Sequence, residues 1–148
     1  MPVFEAVTVV ACQPATAFDF LARPANLLLV TPREMRIELI APPDRLAIGA
    51  KITACVHRYG LKQTMVNEVT AFEEGVGFTD EQIEGPFKRM VHMHRVEGHE
   101  VGTQITDVFD FEAPGGMMGW LLTNERILSE LKSLAGFRMA MYKEHLER

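Results

Sequence analysis

The stretch Thr103-Gln104-Ile105-Thr106-Asp107-Val108-Phe109-Asp110-Phe111-Glu112 reads as a strand with two unlike faces. Strand side chains alternate with a period of two, so Thr103, Ile105, Asp107, Phe109 and Phe111 share one side. Gln104, Thr106, Val108, Asp110 and Glu112 share the other. The first set is the more apolar and is expected to face inward. Asp107 then stands on an apolar face, where an unpaired carboxylate is costly. It needs a partner.

Downstream, Pro114-Gly115-Gly116 ends the alternation. Leu121, Leu128, Leu131, Leu134 and Ala135 then recur at helical spacing, which predicts a long amphipathic helix to about Leu146. Upstream, short strand-like stretches alternate with turn residues: Met35–Ala41, Ala50–Tyr59, Gln63–Glu73, Val76–Ile83 and Phe87–Glu97. The punctuation is Pro42-Pro43-Asp44, Gly60, Glu74-Gly75, Gly85-Pro86 and Gly98 with Gly102. Before these, Val3–Ala11 reads as a first strand. Two short helices follow it, Ala15–Ala22 and Pro24–Val30, the second with Pro24 at its start.

This order predicts an α+β fold: an antiparallel meander whose apolar face is covered by the C-terminal helix. A curved sheet gripping one helix leaves room for a pocket between the layers. The chain has 148 residues, 47% hydrophobic and 24% charged, which suits one domain over 1–148. The net charge of −5 argues against a nucleic-acid partner. Cys12 and Cys55 are far apart and form no CxxC pair, so neither a disulfide framework nor a zinc signature is expected. No apolar run approaches the roughly 18 residues of a membrane span. Glu5 precedes the apolar Val7–Cys12 and no Lys or Arg does, so no export signal is expected either. The expected setting is cytoplasmic.

The partner for Asp107 comes from the strand before it. Arg89 and Arg95 mark its outer face, which leaves Met90, His92, His94 and Val96 facing inward. Pairing Glu97 with Gly102 places His92 opposite Asp107 and His94 opposite Ile105, and makes the two inner faces coincide. A His92–Asp107 pair inside the sheet is the expectation. One strand earlier Phe78, Asp80 and Gln82 share a face, and a hairpin loop of odd length brings that face inward too.

The run Phe78-Thr79-Asp80-Glu81-Gln82-Ile83-Glu84-Gly85-Pro86-Phe87, with His92-Met93-His94 after it, resembles the SRPBCC superfamily. This is the START-like helix-grip group that includes polyketide cyclase/dehydrase-like proteins. Gly102-Thr103, Thr106-Asp107-Val108, Pro114-Gly115-Gly116 and Phe137-Arg138 continue the resemblance in order, and the element order matches from Val3 to about Leu146. The resemblance implies a seven-stranded antiparallel sheet and a hydrophobic cavity under the C-terminal helix. Lipids, sterols, polyketides, quinones or hormones bind there in the superfamily, and some members catalyse cyclisation or dehydration. Where close relatives tend to carry Trp before the two histidines, this chain has Met90.

Two functions follow, and a third stands beside them. The first is binding of a small hydrophobic ligand of lipid, polyketide, quinone or aromatic type, lined by Phe78, Asp80, Gln82, Met90, His94 and Phe109. The second is a cyclase/dehydratase in which His92 is acid or base and Asp107 orients it and raises its basicity. A structural ion pair explains the same two residues without chemistry. Asp80 and Gln82 either hydrogen-bond a ligand or cap the Gly85-Pro86 turn. His92, His94 and Asp80 or Asp107 have ligand types that suit zinc or iron. They repeat no known metal signature, so no metal or cofactor is expected. His57 and Tyr59, on the face of Cys55, are secondary candidates for the pocket. Arg138 either reaches a buried anion or snorkels to solvent. The third reading is a homodimeric interaction module joined through exposed Val91 and Met93.

Overall fold

The computed structural model describes residues 2–58 and 61–147. Seven strands form one antiparallel sheet: β1 (Val3–Val10), β2 (Ile37–Ile40), β3 (Lys51–Arg58), β4 (Leu61–Glu73), β5 (Gly77–Glu84), β6 (Arg89–Gly98) and β7 (Thr103–Glu112). Their spatial order is β1-β7-β6-β5-β4-β3-β2, so β2 to β7 form a meander and β1 closes onto its last strand. Between β1 and β2 lie α1 (Pro14–Leu21) and two single 3-10 turns, Pro24–Leu27 and Arg33–Met35. The second helix expected over Pro24–Val30 is thus only the first of these turns. Tyr59 lies outside the described residues.

The C-terminal helix is interrupted once. A short α2 (Met118–Leu121) is followed by α3 (Asn124–Leu146). The break falls at Leu122 and Thr123, and the extended backbone of Thr123 lets its hydroxyl accept the amide proton of Arg126 and cap α3. Leu121 therefore leaves the apolar stripe and is half exposed. Ile127, Leu131, Tyr142 and Leu146 carry that stripe instead.

The hairpin between β6 and β7 differs from expectation by two residues. Gly98 faces Thr103, His94 faces Asp107 and His92 faces Phe109. The turn is shorter than expected, because His99 and Gly102 exchange backbone hydrogen bonds of 3.1 and 3.0 Å around Glu100-Val101. A shift of two keeps every side chain on its face. Thr103, Ile105, Asp107, Phe109 and Phe111 are accordingly all buried.

Val91 is also buried, against the expectation that it would be exposed for a partner. Its strand is central, with Glu81 on one side and Asp110 on the other, and their side chains and the Arg89–Asp110 pair of 2.9 Å flank it. Met93 remains exposed. On β3, Ile52, Ala54 and Val56 line the interior, so Cys55 and His57 lie on the opposite face. Among the described residues no helix is long and apolar enough to cross a membrane.

The buried apolar residues do not make one continuous core. One cluster joins Phe18, Leu46, Phe78, Ile105 and Tyr142, among others. The other joins Phe109, Phe111, Leu122, Ile127 and Leu131. Between them, under the middle of α3, lies open space. That gap positions the site.

Candidate functional site

Two adjoining cavities occupy the gap, one of about 200 Å³ and one of about 520 Å³. Ile37, Val56, Met65, Asn67 and His92 line both, so the two share a wall. The larger is mostly apolar, with Met90, Phe109, Leu122, Ile127 and Leu131 in its wall. The smaller adds polar groups, among them Asp80, His94, Arg138 and Tyr142.

Four rings cross the sheet where the cavities meet. Phe78 stacks on His94 at 4.2 Å between centroids, His94 lies 3.7 Å from His92, and His92 stacks on Phe109 at 3.9 Å. The register produces this order directly, since Phe78 faces His94 across β5–β6 and His92 faces Phe109 across β6–β7. Cross-strand aromatic neighbours on one face are held close enough to stack.

Beneath the rings runs a chain of charge. His94 Nε2 lies 2.9 Å from Asp80 Oδ2. His94 Nδ1 lies 3.4 Å from Asp107 Oδ1, at ion-pair distance without a hydrogen bond. Asp107 Oδ1 in turn lies 2.9 Å from His92 Nε2. Asn67 Nδ2 donates to Asp80 Oδ1 at 2.9 Å from the far end. The order is Asn67, Asp80, His94, Asp107, His92. Asp80, His92 and Asp107 are buried, and His94 nearly so.

Position in this chain decides protonation. Burial alone lowers a histidine pKa, but His94 has a carboxylate on each side and is raised to about 9. His92 is lowered to about 4, by burial and by the positive charge of His94, which together outweigh Asp107. Burial pushes the Asp107 and Asp80 carboxyls up, yet the histidines hold both below the usual carboxylate range. At neutral pH His94 is therefore the cation between two carboxylates, and His92 is neutral. Because Asp107 can only accept, neutral His92 donates from Nε2 and keeps its lone pair on Nδ1. Asp107 holds His92 and by itself raises its basicity, as expected, but burial and the neighbouring His94 outweigh it and leave His92 a weaker base than a free histidine.

The remaining expected site residues divide. Phe78, Asp80 and His94 line the smaller cavity, and Met90 and Phe109 the larger. Asp107 lies behind His92 and lines neither. Gln82 is not in either wall. Its Nε2 donates to the Phe87 carbonyl at 2.7 Å and its Oε1 accepts from the Phe87 amide at 3.4 Å, so it closes the β5–β6 turn. Asn67 is the functional candidate that sequence reading missed. Met65, Asn67 and Val69 alternate along β4, so a polar residue on an apolar face marked it, the same signal that marked Asp107. Tyr142 was hidden on α3, where its burial, deepened by the negative charge of Asp107, pushes the phenol pKa up.

No family model and no curated protein matches this sequence. Solved structures do match in shape. Protein CV1439 from Chromobacterium violaceum superposes with a TM-score of 0.72 at 10% identity, over 95% of this chain and 97% of that one. Protein Ms6760 from Mycobacterium smegmatis gives 0.71 at 17% identity, over 97% and 90%. Major latex-like protein 151 from Panax ginseng gives 0.67 at 16% identity, over 99% and 98%. The chain therefore has the helix-grip fold expected from its sequence, a seven-stranded antiparallel sheet against a long C-terminal helix.

Proposed function

We propose that the protein is a single helix-grip domain over residues 1–148 that binds a small hydrophobic molecule between the sheet and α3. The observation that carries this reading is the divided core, whose two apolar clusters leave a cavity of about 520 Å³ between them. Ligand sites commonly span about 300–1,000 Å³, with apolar walls and a few convergent polar groups. A molecule of lipid, polyketide, quinone or aromatic type suits such walls. Both cysteines are free, which agrees with a reducing, cytoplasmic setting.

A second reading, a cyclase/dehydratase, draws on one observation: His92 lines both cavities while Asp107 holds its far nitrogen. Its pKa of about 4 makes it a weak base at neutral pH, so binding is the better-supported reading. Native mass spectrometry of the purified chain tests binding, followed by extraction of whatever is retained. A bound molecule of a few hundred daltons, or saturable uptake of the fluorophore ANS, whose aromatic rings suit apolar cavities while its sulfonate stays in water, is the expected result. A bare polypeptide mass together with no ANS uptake would overturn the proposal.

A further inference from the structure

Three buried polar atoms on residues around the smaller cavity make no hydrogen bond in the protein: Asn67 Oδ1, Arg138 Nε and His94 Nδ1, the last of which faces Asp107 Oδ1 at 3.4 Å. Asn67 Oδ1 and Arg138 Nε, without such a charge partner, are opposite in sense. Asn67 Nδ2 is committed to the Asp80 carboxylate, and a carboxylate only accepts, so the amide orientation is fixed and its oxygen is a bare acceptor. Arg138 Nε is a bare donor on a permanent cation. Buried polar groups are normally paired. An acceptor and a donor left open in one small cavity define what would fit there.

The neighbouring charges narrow the choice. Asp80, His94, Arg23 and Arg138 face the smaller cavity, and Arg23 is already committed to Asp19 at 2.9 Å. A carboxylate head would meet Arg138 but could not donate to Asn67, and it would face the Asp80 carboxylate. An ammonium head would satisfy Asn67 but face Arg138 and the charged His94. A hydroxyl donates once and accepts as well. We propose that the smaller cavity is a head-group subsite for an uncharged, hydroxyl-bearing amphiphile, which donates to Asn67 Oδ1 and accepts from Arg138 Nε. The apolar body of that molecule extends past His92 into the larger cavity.

This inference rests on the cavity-binding reading, and a matched probe series separates the two. Naphthalene, naphthol and naphthoate share one apolar body, and calorimetry on the full chain gives their affinities. Naphthol is expected to bind roughly tenfold more tightly than naphthalene, the size of one good net hydrogen bond, although naphthalene is the more hydrophobic. Naphthoate is expected to be the weakest of the three. Arg138→Met is expected to bring the naphthol-to-naphthalene ratio close to one. Asn67→Ser is expected to do the same, and Arg138→Met alone decides the matter if loss of the Asp80 contact unfolds the Asn67 variant. Naphthoate binding as tightly as naphthol, or a full naphthol preference in Arg138→Met, would overturn the head-group subsite. Leu131→Trp, which intrudes on the larger cavity, separates this from failure of the cavity itself. If all three probes bind equally and all weaken in Leu131→Trp, the subsite falls and the cavity reading stands. If none binds, or none responds to Leu131→Trp, the cavity reading falls and takes the subsite with it.

Discussion

His92 and Asp107 meet on a diagonal of the sheet. His92 is paired with Phe109 and Asp107 with His94, yet His92 Nε2 reaches Asp107 Oδ1 at 2.9 Å. Diagonal neighbours on one face are within reach of long side chains. The arrangement lets Asp107 serve both histidines, hydrogen-bonded to His92 and 3.4 Å from His94 Nδ1. Asp107→Asn keeps the shape and removes the charge. It should cost about 3 kcal/mol, because a buried cation at His94 loses one of its two carboxylates. Urea unfolding at neutral pH measures this, and a loss below about 0.5 kcal/mol would remove Asp107 from the stabilising network.

The two histidines should give stability a dome-shaped pH profile. His94 is raised to about 9 in the fold, so its contribution is complete below the ordinary value near 6.5 and fades as pH climbs to about 9. His92 is lowered to about 4, so its contribution is complete above about 6.5 and fades as pH falls toward 4. Between those limits the slopes oppose and stability peaks near pH 6.5. The alkaline limb is on the order of 3 kcal/mol. His94→Asn should abolish it, leaving stability flat from pH 6.5 to 9 in urea titrations. A wild-type profile flat across that window would show that His94 is neutral in the fold.

Much of this arrangement was legible because a polar residue on an apolar strand face is costly and therefore conspicuous. Asp107, His92, His94 and Asp80 were all visible in that way. The shared faces were legible too, since an error of one residue would have exposed a whole strand. The exact partners were not, because a slip of two residues keeps both faces intact. Only the turn distinguishes the alternatives, and Glu100-Val101 lacks the Gly or Asn that commonly marks a two-residue hairpin loop. His99 makes up for this locally, accepting the Val101 amide proton on Nδ1 at 3.1 Å. The break before α3 was masked similarly, because Leu121 keeps helical spacing although it belongs to α2.

Met90 should control how much of the larger cavity is usable. It stands opposite Phe111 on β6, with its side chain in the cavity wall. Met90→Trp adds bulk to open space rather than to a packed core, so stability should change by less than about 1.5 kcal/mol. ANS affinity should fall at least roughly tenfold, a loss of about 1.4 kcal/mol in binding. Fluorescence titration reads the affinity and thermal melting the stability. Unchanged ANS affinity in a folded Met90→Trp would place the fluorophore elsewhere.

Gly77 should be needed for the site although it carries no side chain. It faces Arg95 across β5–β6, and a Cβ built there collides with the carbonyl oxygen of His94. Relief requires β5 to move away from β6 beside the stack of Phe78 on His94 and the bond from His94 to Asp80. Gly98 offers the contrast, since a Cβ there meets nothing within 4 Å. Gly77→Ala should therefore cost about 2 kcal/mol or more, with Gly98→Ala within about 0.5 kcal/mol of the native chain. The backbone shift should also loosen His94 from Asp80, so its pKa should drop from about 9 toward the ordinary histidine value. Urea unfolding compares the stabilities, and NMR titration of the His94 ring follows the pKa. Equal stabilities with an unmoved His94 titration would mean that the strands absorb the methyl group without disturbing the ring stack.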